Sequence, residues 1–166
     1  GSVWRANVDA SELNGYVEYR SGTGNQAGRV YARLARLILA QSSARDVENL
    51  LDEQPASMPA LDVVVDDFEL RGKRLGRVEI DAVNRAAGGA ARDGGVREWR
   101  LNKFNIQTPE ASLSATGNWT SLNAQSPDNG GASLRSGLER RRTVMNFKLD
   151  INDSGNLLAR LGMKDV

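Results

Sequence analysis

The chain of 166 residues contains no cysteine and no histidine. Without cysteine there is no disulfide and no thiolate metal site. Without histidine the commonest general base and the commonest neutral metal ligand are missing, and with them every Ser-His or Cys-His arrangement. An excess of charge of one sign is also lacking: 22 basic residues against 21 acidic ones leave a formal net charge of +1. Nucleic-acid binding draws on a basic surplus that neutralises phosphates, so the composition argues against that partner. Aromatic residues make up 5% of the chain, too few for a stacking platform along single-stranded nucleic acid. No apolar run approaches the length of a membrane span, and no signal peptide is recognisable. Gly1-Ser2 reads as the scar of a tag cleavage, so a leader or membrane anchor is expected upstream. No enzyme activity, cofactor or metal is expected, because these residue types assemble no nucleophile–base pair.

What the chain does have is alternation. Val3 to Ala10 places Trp4, Ala6 and Val8 on one side, and Gly15 to Arg20 holds Tyr16, Val17 and Tyr19. The Gly22 to Gly28 stretch is a glycine turn. Arg29 to Leu39 reads in two ways. Alternation separates Val30, Ala32 and Leu34 from Tyr31, Arg33 and Ala35, whereas helical spacing gathers Val30, Leu34, Leu37 and Ile38 into a stripe. The strand is preferred, since a glycine turn precedes it and its neighbours alternate. Residues 41–60 read as a linker bounded by Pro55 and Pro59, with a short helix expected near Asp46 to Asp52.

From Leu61 to Asn152 the pattern is a meander of antiparallel strands. Leu61, Val63 and Val65 alternate, and Phe68 and Leu70 continue in the opposite phase. One extra residue near Asp66-Asp67 restores the facing, as a β-bulge does. Arg71 to Arg74 turns, and Val78, Ile80 and Ala82 return. Trp99 and Leu101, then Phe104 and Ile106, repeat the slip. After a turn at Thr108-Pro-Glu110, Leu113, Ala115, Gly117 and Trp119 return. The two hairpins form a weak internal repeat of the kind that extends a sheet by stacking similar units. Residues 86–95 are glycine-rich, and Ser121 to Arg142 is a polar segment expected to be poorly ordered. Met145, Phe147, Leu149 and Ile151 form a last strand. Asp153 then offers a helix N-cap and Gly162 a stop.

Several features resemble functional motifs but have a plainer reading. Asp66-Asp67 resembles a carboxylate pair, but adjacent strand residues point to opposite faces, so a bulge is preferred. Gly22, Gly24 and Gly28 lack the spacing and the strand-to-helix context of a phosphate loop. Arg140-Arg-Arg142 suits lipid phosphates but reads as a solvated charge run. Asn118-Trp-Thr120 is a formal glycosylation sequon at a strand end and is discounted.

The run from Leu61 to Ile80, LDVVVDDFELRGKRLGRVEI, resembles the "LDL…F.L.GK.LG.LEL" hairpin of the YhdP proteins of Gram-negative bacteria, members of the wider AsmA-like group. Arg97 to Phe104 with Ala111 to Trp119 is similar to the family's next hairpin, and Phe147 to Gly162 to the strand and helix that follow. In the family the pattern continues beyond Val166, so the resemblance implies a fragment of a much larger protein. It further implies a periplasmic location, with an anchor in the inner membrane outside this sequence. The sheets of such proteins are thought to curl into an apolar groove that passes phospholipid between inner and outer membrane. The partners implied are phospholipid acyl chains and neighbouring segments of the same long chain.

The expectation is therefore a mainly β chain, a curved, groove-like antiparallel meander with one or two short helices. Its candidate lipid-contacting residues are Val63, Val65, Val78, Ile80, Leu113, Met145, Phe147 and Leu149. Two readings of that stripe stay open. It is either a groove or an ordinary core packed by Leu157, Leu158 and Leu161 of the terminal helix. The alternative function is a structural or docking β-module without lipid contact, whose exposed edges invite strand pairing and a non-physiological edge-strand dimer.

Overall fold

The computed structural model describes residues 1–23, 26–40, 58–86, 97–122 and 140–163. Eight strands form one open sheet in chain order: β1 (Val3–Asp9), β2 (Leu13–Arg20), β3 (Arg29–Leu39), β4 (Ala60–Leu70), β5 (Lys73–Ala86), β6 (Arg97–Gln107), β7 (Ala111–Leu122) and β8 (Arg140–Ile151). A short helix, α1 (Ser154–Arg160), follows. The architecture is the curved, mainly β sheet that the alternation predicts. The second helix expected near Asp46 to Asp52 and the glycine-rich residues 87–95 lie outside the described residues.

Two boundaries differ from the reading of the sequence. Strand pairing continues to Leu122 in β7 and resumes at Arg140 in β8, in register across Leu122↔Arg140. Strand thus occupies both ends of the segment expected to be poorly ordered; the rest, 123–139, lies outside the described residues. One pairing also differs in direction. β3 and β4 run parallel, from Arg29↔Ala60 to Leu39↔Leu70, while the other pairings are antiparallel. A period-two pattern is identical in either direction, so alternation does not encode this choice. A parallel join needs a long crossover, and the stretch between Leu39 and Ala60 provides it.

The phase slips are bulges. Register shifts fall between Val65 and Phe68 on β4 and between Leu101 and Phe104 on β6, with others at Asn14/Gly15 and Asp81/Ala82. Each bends its strand and increases the local twist, which curls an open sheet. The β4–β5 hairpin closes through Arg71 and Gly72 at φ 53° and 75°, the left-handed pair that suits a two-residue turn. Gly76, at φ 76°, has no room for a side chain, since a Cβ there would lie 2.3 Å from the Gln107 carbonyl oxygen.

Helix α1 is capped as expected. The Asp153 carboxylate accepts from Asn156 N–H at 3.0 Å. At the other end Gly162 N–H donates to Ala159 O and Met163 N–H to Leu158 O, with Gly162 at φ 81°, the paired bonds of a Schellman stop. The helix is tied to one end of the sheet. Arg160 makes a two-pronged contact with Glu110, both bonds 2.7 Å, and the Glu110 carbonyl accepts from Asn152 N–H at 2.8 Å. None of the helix's own side chains is buried, so Leu157, Leu158 and Leu161 do not serve as the cover of a closed core.

The hydrogen bonds from Arg160 hold the Glu110 carboxyl down to about 2 from 4.5. A carboxylate with a depressed folded value contributes stability that is complete above its unfolded value and lost as pH falls through the folded one. Wild-type chain should therefore resist urea better than Arg160→Gln near neutrality. That advantage should shrink between about pH 4.5 and pH 2. A constant difference across that window would show that the pair does not anchor the helix.

Candidate functional site

Residues directly opposite one another in a ladder project from the same face. Following the register across the sheet therefore gives continuous rows. One row reads Ala6, Val17, Ala32, Val63, Ile80, Phe104, Ala115, Phe147. The next reads Val8, Gly15, Leu34, Val65, Val78, Ile106, Leu113, Leu149, and a third Trp4, Tyr19, Val30, Leu61, Ala82, Leu101, Gly117, Met145. No charged side chain interrupts any of them. All eight candidate residues from the sequence fall on this face: Val63, Ile80 and Phe147 in the first row, Val65, Val78, Leu113 and Leu149 in the second, Met145 in the third.

At several points along the rows a small residue lies between two larger ones. Ala115 lies between Phe104 and Phe147, Ala82 between Leu61 and Leu101, and Gly15 between Val8 and Leu34. Side chains on the inner side of a curled sheet converge, so such alternation lets the strands close up without collision. Burial is graded across the face. Its centre is a packed cluster of Ala32, Leu34, Val65 and Val78, with Val65 only 2% exposed. Towards β8 the same face opens: Met145 is 39% exposed, Leu149 57% and Phe147 69%. Trp4 and Tyr19 are exposed at the β1 margin. A run of large exposed apolar residues along one strand is the kind of patch that marks an interaction surface.

The opposite face is polar and laced with ion pairs. Glu18 accepts from Arg20 at 2.7 Å and Arg5 at 3.0 Å, and Tyr16 O–H donates to it. The hydrogen bond from Arg20, then those from Arg5 and Tyr16, hold its carboxyl at about 2. Asp62 pairs with Arg33 at 2.8 Å, and Glu79 with Arg77 and Lys103. Among the described residues, Glu98 is the buried charge of this face. It accepts from Asn118 at 3.0 Å and Arg85 at 2.9 Å, which outweigh burial and lower its carboxyl below the ordinary range. Asp66 and Asp67 each meet an arginine, Arg77 and Arg74; they occupy the bulge, as the plainer reading has it. Among the described residues no group of acidic side chains is arranged to hold a metal, and no helix is long and apolar enough to cross a membrane.

Two features of the apolar face were not legible in the sequence. The first is a pair of ties to the chain entering β4: Asn84 donates to Met58 O at 2.7 Å and the Trp99 indole N–H to Pro59 O at 3.0 Å. The second is a pocket of about 300 Å³ lined by Trp99, Leu101, Gly117, Asn118, Trp119, Thr143 and Met145. The register sets Trp99 opposite Trp119 and leaves Gly117 between Leu101 and Met145. The Met145 sulfur fills the notch, 2.3 Å from where a Cβ on Gly117 would stand.

A family model described as YhdP protein matches residues 1–166. The chain therefore belongs to the YhdP family, an AsmA-like family of the cell envelope. No curated protein and no solved structure matches it.

Proposed function

We propose that this YhdP-family chain is a segment of a periplasmic, bridge-like protein whose apolar β-groove carries phospholipid between the inner and outer membrane. The observation that carries this reading is the set of three apolar rows running unbroken from β1 to β8. The rows cross the strands, so a path along them leads from one sheet edge to the other. Strands spaced about 4.8 Å apart give a path of roughly 34 Å over eight strands. A bilayer core of about 30 Å is shared by two leaflets, so this path exceeds the length of one acyl tail. Each methylene moved from water to the face gains about 0.8 kcal/mol.

An open groove also suits a two-part cargo. Tails lie on the apolar face while the head group stays in water, so the charged head group is not desolvated. Movement of lipid makes and breaks no bond, in keeping with a chain that has neither histidine nor cysteine. At β1 and β8, the edge strands among the described residues, each paired on one side only, neighbouring segments of a longer chain would continue the rows.

Photo-reactive side chains placed on both faces test the reading. Ile80, Leu113 and Phe147 lie on the apolar face, and their neighbours along the chain, Glu79, Ser114 and Lys148, on the polar one. Cross-linking in the envelope should capture phospholipid at the first three and not at the second. Capture of neighbouring protein alone at the apolar positions would favour a structural or docking module.

A further inference from the structure

The pocket beside Trp119 has mostly apolar walls, and Trp119 itself carries an unsatisfied donor. Trp119 Nε1 is buried and has no acceptor, the one such side-chain atom among the described residues. Its register partner Trp99 is placed differently, since its indole N–H is already given to Pro59 O at 3.0 Å. Indole is a donor only, and a buried N–H left without an acceptor is unfavourable. The pocket walls include Trp99, Leu101, Gly117 and Met145, and among the described residues no cationic side chain lines it. A phosphate or a free carboxylate would lose its hydration there without a counter-charge. The fitting occupant is a neutral acceptor attached to an apolar chain.

We infer that this pocket receives the ester-linked end of a glycerolipid tail, with the ester carbonyl oxygen accepting from Trp119 Nε1 and the proximal methylenes packing against Leu101 and Met145. The inference rests on the lipid-groove reading and adds to it a fixed point along an otherwise featureless apolar path. The pocket adjoins the third row at Leu101, Gly117 and Met145, so a tail anchored at its ester end continues onto the row. Displacement of the Met145 side chain from the Gly117 notch gives it room. Met145 is flexible, unbranched and 39% exposed, suited to such a move.

The chain has three tryptophans, so a nitrogen-15 spectrum resolves three indole N–H signals. Titration with a short-tailed diester phosphatidylcholine should move the Trp119 signal downfield, and the matching diether lipid should not. The diester should bind about fivefold to tenfold more tightly, the worth of one net hydrogen bond. Trp119→Phe keeps an aromatic ring and removes the donor, so it should bind both lipids with the weaker affinity. If that variant does not fold, the wild-type comparison decides alone. Equal binding of both lipids with no Trp119 shift overturns the inference and leaves the groove reading intact. Failure of both lipids to bind overturns both.

Discussion

Leu34→Ala should lower the unfolding free energy by roughly 2–5 kcal/mol, whereas Phe147→Ala should change it by less than about 0.5 kcal/mol. Both residues belong to the apolar face, and both are large. They differ in what surrounds them. Leu34 is 6% exposed and packs in the central cluster with Ala32, Val65 and Val78. Its Cδ2 also lies 3.1 Å from where a Cβ on Gly15 would stand, so it occupies space that Gly15 leaves free. Removing it opens a cavity that two bonded neighbour strands cannot close. Phe147 is 69% exposed on the edge strand, so truncation removes little contact. With typical stabilities of about 5–15 kcal/mol, the first variant loses a large share of its stability and the second almost none. Urea unfolding of both measures the contrast. Equal losses would mean that β8 packs as core, and the face would then have no open lining.

This gradient reconciles the two readings that the sequence leaves open. The stripe is a core at its centre and a surface at β8. A single sheet achieves both because the inner strands have neighbours on either side, while the edge strand has one. The terminal helix contributes little to the cover, since it is held at the end of the sheet through Glu110 and Arg160 rather than laid over the rows.

Much of this was legible from residue order alone. Period-two alternation assigned the strands, the caps at Asp153 and Gly162 bounded the helix, and the step from Val65 to Phe68 marked a bulge. The same three-residue step explains the ambiguity in β3. Leu34 and Leu37 pair with Val65 and Phe68, so both strands slip together, and that spacing of three imitates a helical stripe. The direction of the β3–β4 pairing was not legible, because alternation has no polarity. Nor were the ties from Trp99 to Pro59 and from Arg160 to Glu110, which join residues 40 and 50 apart. Their side chains carry no local pattern that names a partner. The Trp119 pocket depends on the cross-strand register, which sets a glycine between two large residues.

The ion pairs of the polar face suit that face to contact with water. Glu18, Asp62 and Glu79 each meet arginine or lysine on neighbouring strands. Exposed pairs of this kind contribute little stability individually, but their charges keep that face hydrated. On the proposed reading, lipid contact is thereby confined to one side, and the strand alternation that confines it also supplies its control.

The most direct measurement is the lipid retained by the purified chain after incubation with phospholipid vesicles, quantified by extraction and mass spectrometry. Wild type should retain phospholipid. Phe147→Asp and Leu149→Asp should stay folded, because both sites are more than half exposed and a solvated charge there is not costly. Their lipid load should fall at least about tenfold, since an acyl chain on β8 would have to desolvate the new carboxylate. Asn146→Asp adds the same charge to the polar face of the same strand and should retain the wild-type load. Equal loads in all four proteins, or a loss in Asn146→Asp as large as in Phe147→Asp, would contradict the account.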